Sequence, residues 1–166
     1  MITPVYTIGY EGASLEDFLD TLADAKIARV VDVRDVPASR RRGFSKNALR
    51  EALADYEIEY THLKALGDPK AGREAMRRGD ISGFLEIFNE HIQSVEAQTA
   101  LMEAVELASK GPIVLLCYER DPKYCHRSIV VERMSALASV RANHLGVRKR
   151  TGASVGRQAG VIATIG

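Results

Sequence analysis

Gly111-Pro112-Ile113-Val114-Leu115-Leu116-Cys117 is the stretch on which the reading of the fold turns. The Gly-Pro pair stops any helix before it, and Ile113 to Cys117 then runs apolar without polar alternation. A strand of that kind is buried on both faces, as in a parallel sheet covered by helices. Upstream, Val5 to Ile8, Arg29 to Val33 and Ile58 to Leu63 read as further strands, and Val140 to Val147 reads as a last one downstream. Helical patterns fall between them. Ser14 opens a capping box, Ser-Leu-Glu-Asp, ahead of Phe18, Leu19, Leu22 and Ile27. Ser45 is placed to cap a helix carrying Leu49, Leu53 and Tyr56 on one face. A long helical stretch from about Phe84 to Ala108 is expected to break near Ser94, and Cys125 to Leu137 carries Ile129, Val130, Met134 and Leu137 as a buried stripe. The segment Gly67 to Gly83, glycine-rich and basic, reads as a long excursion. Strands alternating with helices require right-handed crossovers, so the expected architecture is a three-layer α/β domain: a mostly parallel sheet of about five strands with helices on both faces. The pattern leaves the strand order open.

Composition fits one such domain. The 166 residues are 46% hydrophobic and 27% charged, enough apolar material for a full core and too much for a disordered chain. The domain is expected over 1–147, followed by a basic, glycine-rich and mobile tail over 148–166; the last acidic residue is Glu132. A net charge of +1 gives no global field toward nucleic acid or membrane, so any binding must be local. Apolar runs fall short of the roughly 18 residues a spanning helix needs, and Met1 to Tyr6 lacks a basic region followed by an apolar stretch, so a cytoplasmic protein with no membrane partner is expected. Two cysteines are too few for a disulfide framework, and separate thiols are the expected state of Cys117 and Cys125.

In an open parallel sheet, ligands bind beyond the carboxyl ends of the strands. Those ends are polar here: Tyr10 after the first, Asp32 and Arg34 after the second, His62 after the third, then Cys117, Glu119, Cys125, His126 and Arg127 around the fourth. Pro37 to Ser45 places Arg40, Arg41 and Arg42 with Ser39 and Ser45 directly before a helix N-terminus, which favours an anion such as phosphate; a solvated basic loop is the plainer reading. Phe44 in that loop stacks on a ring or anchors the loop to the core. Asp32 and Arg34 share a strand face, which fits either a buried ion pair or a base beside an anion clamp. Glu119 is a better acid or base than Cys117, which ends an apolar strand. Cys125 falls at an expected helix start, where the helix dipole would favour a thiolate. The arginine-bearing phosphatase loop is excluded, because Lys123 and Val131 stand six positions after Cys117 and Cys125. The eight-residue step between the cysteines is no zinc-finger spacing, so neither a metal nor another cofactor is expected. His91 and His144 read as ordinary surface or partly buried histidines.

Several short motifs in fixed order carry a resemblance: Thr7-Ile8-Gly9-Tyr10, Asp32-Val33-Arg34, Pro37-Ala38-Ser39-Arg40, Gly43-Phe44-Ser45, His62-Leu63 with Leu66-Gly67, and Leu116-Cys117-Tyr118-Glu119 leading to Cys125-His126-Arg127. From about Tyr6 to Val147 the chain resembles the Domain of Unknown Function 488 family. The resemblance implies a compact α/β protein of bacterial or archaeal type and no established activity. Its motif positions fall on Tyr10, Asp32, Arg34, Ser39, Arg40, Phe44, Ser45, His62, Glu119, Cys125, His126 and Arg127. Where many relatives have a second glycine after Leu-Gly, this chain has Asp68-Pro69, which implies a differently shaped site mouth.

Three functions remain open at this level. The leading one is an enzyme for a phosphorylated, nucleotide-like small molecule or a nucleic-acid end. Arg34, Arg40 and Arg127 would hold the anion, Asp32 or Glu119 with His62 or His126 would move protons, and Tyr10 and Phe44 would flank a ring. The rivals are a non-catalytic nucleic-acid or nucleotide binding module using the same arginines, and an oligomerising scaffold. Substrate, reaction and oligomeric state are not given by the sequence.

Overall fold

The computed structural model of the chain describes residues 2–149, so the expected tail lies, beyond its first two residues, outside the described residues. Five strands and six α-helices alternate as β1 (Thr3–Gly9), α1 (Leu15–Asp24), β2 (Arg29–Asp32), α2 (Lys46–Ala54), β3 (Glu59–His62), α3 (Lys70–Arg77), α4 (Ile81–His91), α5 (Val95–Lys110), β4 (Ile113–Cys117), α6 (His126–Ser135) and β5 (Val140–Leu145). The sheet is parallel throughout, in the order β3-β2-β4-β1-β5. β4 explains its own sequence. It lies between β1 and β2 with all five residues buried: Val114 and Leu116 join the core on one face, and Ile113, Leu115 and Cys117 join the other.

The first of these cores packs α1 and α2 against the sheet through Phe18, Leu22, Leu49 and Leu53; the second packs α4, α5 and α6 through Phe88, Leu101, Val130 and Met134. This is the three-layer arrangement the alternation requires. Ser14 caps α1 by accepting from the Asp17 amide, and Ser94 caps α5, which is the break expected in the long helical stretch. Two expectations are corrected. Ser45 precedes α2 but makes no side-chain cap; its hydroxyl instead accepts from the Ser39 amide and donates to the Ser39 carbonyl. The basic excursion folds in part as α3, where Gly72 makes room for the Asp68 carboxylate, since a Cβ there would stand 2.0 Å from it.

Strand order fixes where a site can form. The chain leaves β1 and β2 for the α1–α2 layer but leaves β3 and β4 for the opposite layer, so a crevice opens at the carboxyl end of β4 beside those of β1 and β2. Gly9 keeps that crevice tight, since a Cβ on it would meet the Glu119 carbonyl oxygen at 1.7 Å, and the Tyr10 and Glu11 amides continue the pairing onto Cys117 and Tyr118. Gly12 has open space around it and a φ of +76°. In urea denaturation Gly9→Ala is therefore expected to lose about 3 kcal/mol or more, at the upper end of overpacking costs, while Gly12→Ala loses only about 1 kcal/mol for its left-handed backbone.

Candidate functional site

A cleft of about 370 Å³ occupies the switch point at the end of β4. Tyr10 from the end of β1, Arg34 and Asp35 after β2, and Cys117, Tyr118 and Glu119 at β4 line it, joined by Ser39, Asp68, Arg73 and His126. A second hollow continues along Asp68, Arg73 and Glu119 toward Phe84 and Tyr124. The strand-end residues thus converge in part: Tyr10, Arg34, Ser39, Glu119 and His126 face one cavity, whereas Arg40, Phe44, Ser45 and His62 do not line it.

Asp32 and Arg34 form a buried pair. Arg34 Nε donates to Asp32 Oδ1 at 2.9 Å and its terminal nitrogen donates to Oδ2 at 2.7 Å, with side chains 0% and 6% exposed. The Tyr60 hydroxyl donates to the same Oδ2, and the Arg34 amide donates to Oδ1. The other terminal nitrogen of Arg34 reaches the Phe44 carbonyl at 2.8 Å and the Tyr10 hydroxyl at 3.2 Å. Burial works against the guanidinium charge, but the Asp32 bonds outweigh it and raise the Arg34 pKa. Burial, reinforced by the Asp32 charge, raises that of the Tyr60 phenol. Asp32 is fully buried with every oxygen engaged, which suits an anchor rather than a base. His62 Nε2 donates to the Arg34 carbonyl at 2.7 Å, and His126 Nε2 donates to the neighbouring Val33 carbonyl at 2.6 Å. Both histidines brace the backbone that carries Arg34.

The arginine loop does not build the expected ring slot. Phe44 is 1% exposed and stacks directly on Tyr10, with centroids 4.5 Å apart, so no third ring fits between them. The aromatic ring at the cleft mouth is Tyr118, 44% exposed and edge-on to Tyr10. Arg41 donates to the Ala13 carbonyl, and Arg40 is exposed outside the cleft lining. Ser39 Oγ accepts from the Arg41 amide and faces the cleft.

The cleft's titratable centre is a carboxyl pair that sequence reading found only by half. Asp68 is 6% exposed, its Oδ1 lacks a hydrogen-bond partner, and burial pushes its pKa up to about 7 against the pull of Arg73, with the Glu119 and Asp35 charges adding to the rise. Glu119 is raised too, by burial, against the nearby Arg127. Arg73 donates to Asp35 and to the Asp68 carbonyl. Asp68 and Arg73 lie on the segment read as a long excursion, and the sequence marked Asp68 only as a departure from the family's glycine; the loop after β3 and the first turn of α3 bring them to the cleft at the end of β4.

Cys117 and Cys125 are bonded to each other, in place of the separate thiols expected, so Cys125 offers no thiolate in this state. The turn at Pro122–Tyr124 returns the chain so that the start of α6 meets the end of β4. Arg127 is fully buried: one terminal nitrogen donates to Cys117 Sγ at 3.0 Å and to the Glu119 carbonyl, the other donates to the Arg120 carbonyl, and its amide reaches Cys125 Sγ at 3.5 Å. Burial lowers its pKa to about 10, against the Glu119 and Asp121 charges. It therefore braces the floor of the cleft instead of reaching into it. Burial also holds His126 neutral, with a pKa near 4. Cys117, Cys125 and His126 place their ligand atoms within 4.8 Å of one another, the one group of this kind among the described residues.

The chain is a three-layer α/β domain with a carboxyl-lined cleft at its topological switch point, the place where open α/β sheets hold ligands. Residues 14–134 match the family described as Domain of unknown function DUF488, and the chain belongs to that family. No curated protein and no solved structure matches it. Among the described residues no helix is long and apolar enough to cross a membrane.

Two outcomes follow for stability. Arg34→Ala strands the buried Asp32 charge and is expected to lose about 3–5 kcal/mol in chemical denaturation, while Arg40→Ala stays within about 0.5 kcal/mol of the parent. A carboxyl whose folded pKa is raised favours the fold most below its unfolded pKa, and that contribution is lost as pH rises to the folded value. Asp68→Asn should therefore gain stability over the parent progressively from about pH 4 to about pH 7 and by a constant margin above, read from denaturation midpoints across that range.

Proposed function

We propose that this chain is an enzyme that moves protons on a small, phosphate-bearing, nucleotide-like substrate held in the cleft at the end of β4. The observation that carries this reading is the Asp68–Glu119 pair, two inward carboxyls with raised pKa values in one cavity. A carboxyl that titrates near pH 7 gives and takes protons at neutral pH, which is what general acid–base chemistry needs. Asp68, with an unpartnered oxygen, takes the first such role, and Glu119 is its counterpart.

The same lining supports an anionic group: Arg73, Ser39 and Tyr10 line the cleft, and the Arg34 guanidinium donates to the Tyr10 hydroxyl. Tyr118 offers the rim a ring face for a base or sugar. The volume suits a small molecule, within the usual range of roughly 300–1,000 Å³. Asp35, Asp68 and Glu119 in the lining oppose the close approach of a polyanion, which favours a nucleotide-sized substrate over a nucleic-acid strand.

The test is a screen of the purified chain against nucleotides, dinucleotides and sugar phosphates, followed by variants on any substrate turned over. Glu119→Gln and Asp68→Asn should each lower kcat/KM by about 100-fold or more, with an apparent pKa near 7 in the parent profile that Asp68→Asn removes, while Arg40→Ala stays near parental activity. Full turnover in both carboxyl variants would sink the assignment. Affinity for single-stranded nucleic acid that falls steeply with salt and ignores both carboxyls would favour the binding-module reading instead.

A further inference from the structure

We infer that the reduced chain binds a zinc ion through Cys117 Sγ, Cys125 Sγ and His126 Nδ1, with the fourth coordination position turned toward the cleft. Spacing in sequence argued against a metal, but folding, not spacing, sets this cluster: the end of β4 and the start of α6 bring the ligand atoms within 4.8 Å of one another. Two thiolates and one imidazole with an open position form a donor set of the kind found in catalytic zinc sites, and sulfur ligands favour zinc over magnesium or calcium.

Four observations support the site independently of one another. His126 spends its Nε2 hydrogen on the Val33 carbonyl, so the tautomer is fixed and Nδ1 presents its lone pair on the sulfur side; this is how proteins orient a metal-bound histidine. Nδ1 lies 3.8 Å from Cys125 Sγ. Tetrahedral bonds of about 2.0–2.1 Å to nitrogen and about 2.3 Å to sulfur place two such ligands about 3.6 Å apart, close to the distance observed. Arg127 donates to Cys117 Sγ from its side chain and to Cys125 Sγ from its backbone, the outer contacts that stabilise coordinated thiolates. Finally, the two cysteine Cα atoms stand 7.4 Å apart, beyond the usual disulfide span of roughly 4.4–6.8 Å, so the backbone already leaves room for the sulfurs to part around an ion.

Loading begins with reduction. An external dithiol supplies two electrons and two protons to the Cys117–Cys125 bond, leaving two thiols here and a disulfide in the reductant. Zinc then displaces both thiol protons to solvent and accepts a lone pair from each sulfur and from Nδ1. Cys117, Glu119 and His126 all line the cleft, so the remaining position opens onto it. The oxidised chain, with both sulfurs bonded to each other, lacks two of the three ligands. Metal binding thus stands apart from the acid–base reading, because metal content decides it whether or not a substrate is found.

The full-length chain, reduced with a phosphine and titrated with Co²⁺, tests the proposal. One equivalent per chain should produce a near-ultraviolet thiolate-to-cobalt charge-transfer band that Zn²⁺ abolishes, and the oxidised chain should produce none. Cys125→Ser and His126→Ala should each weaken Co²⁺ binding by more than the tenfold to 100-fold typical of losing an outer contact, since each removes a direct ligand, while Arg40→Ala binds as the parent does. Far-UV circular dichroism confirms that each chain compared is folded. A reduced, folded parent chain that shows no charge-transfer band and retains no zinc after desalting overturns the proposal without recourse to any variant. A band of parental strength in a folded Cys125→Ser chain overturns it as well.

Discussion

The structure depends on one buried ion pair, Arg34 on Asp32, at the point where β2 ends. A charge pair taken out of water costs several kcal/mol of desolvation, and that cost is recovered only where geometry is good and the remaining donors and acceptors are satisfied. Here both conditions hold. The guanidinium meets the carboxylate at two points, Tyr60 from β3 supplies another donor, and the remaining Arg34 donors reach Tyr10 after β1 and the Phe44 carbonyl before α2. A single pair therefore ties together the ends of two other strands and the loop that carries the arginines. The stack of Phe44 on Tyr10 and the edge of Phe18 against Phe44 extend the same tie into the core.

That tie determines what the residues around it are able to do. Arg34 faces the cleft, yet most of its donors are committed, so its contribution there is a fixed positive potential more than a flexible clamp. Asp32 has no free oxygen to act as a base. His62 and His126 hold the consecutive carbonyls of Arg34 and Val33, which fixes the strand end from the neighbouring strand β3 and from α6. Among the carboxyls of the cleft, burial raises the pKa of Asp68 and of Glu119, and the proposed acid–base reading rests on that pair.

Local pattern carried the fold a long way and the site only part of the way. Strands, the Ser14 cap, the break at Ser94 and the burial of β4 on both faces follow from periodicity and turn chemistry within a few residues of each element. Strand order does not, because it depends on which strands pair across long stretches of chain. α3 was hidden by Gly72, whose reason is a contact with Asp68 and not its own helix propensity. The general rule that ligands gather at strand ends directed attention to Tyr10, Arg34 and Glu119, all of which line the cleft. Arg73 and Tyr118 carried no local signal of a site, and Asp68 only that of a differently shaped site mouth. Cys117 was read as the end of an apolar strand, in keeping with its burial, and only the return of the chain at Pro122–Tyr124 sets it against Cys125 and His126.

The charge arrangement of the cleft narrows the kind of ligand it suits. Asp32 already neutralises Arg34, and Arg73 is shared with Asp35, so the lining offers localised positive points rather than a basic surface. A strand of nucleic acid, which gains affinity by setting many phosphates against many cations, would find carboxylates in the way. The small molecule with one anionic group that we propose as substrate is better matched to localised positive points of this kind. Arg127 lies beneath the floor, where its charge opposes the rise of the Glu119 pKa and its donors hold Cys117 and the Glu119 backbone.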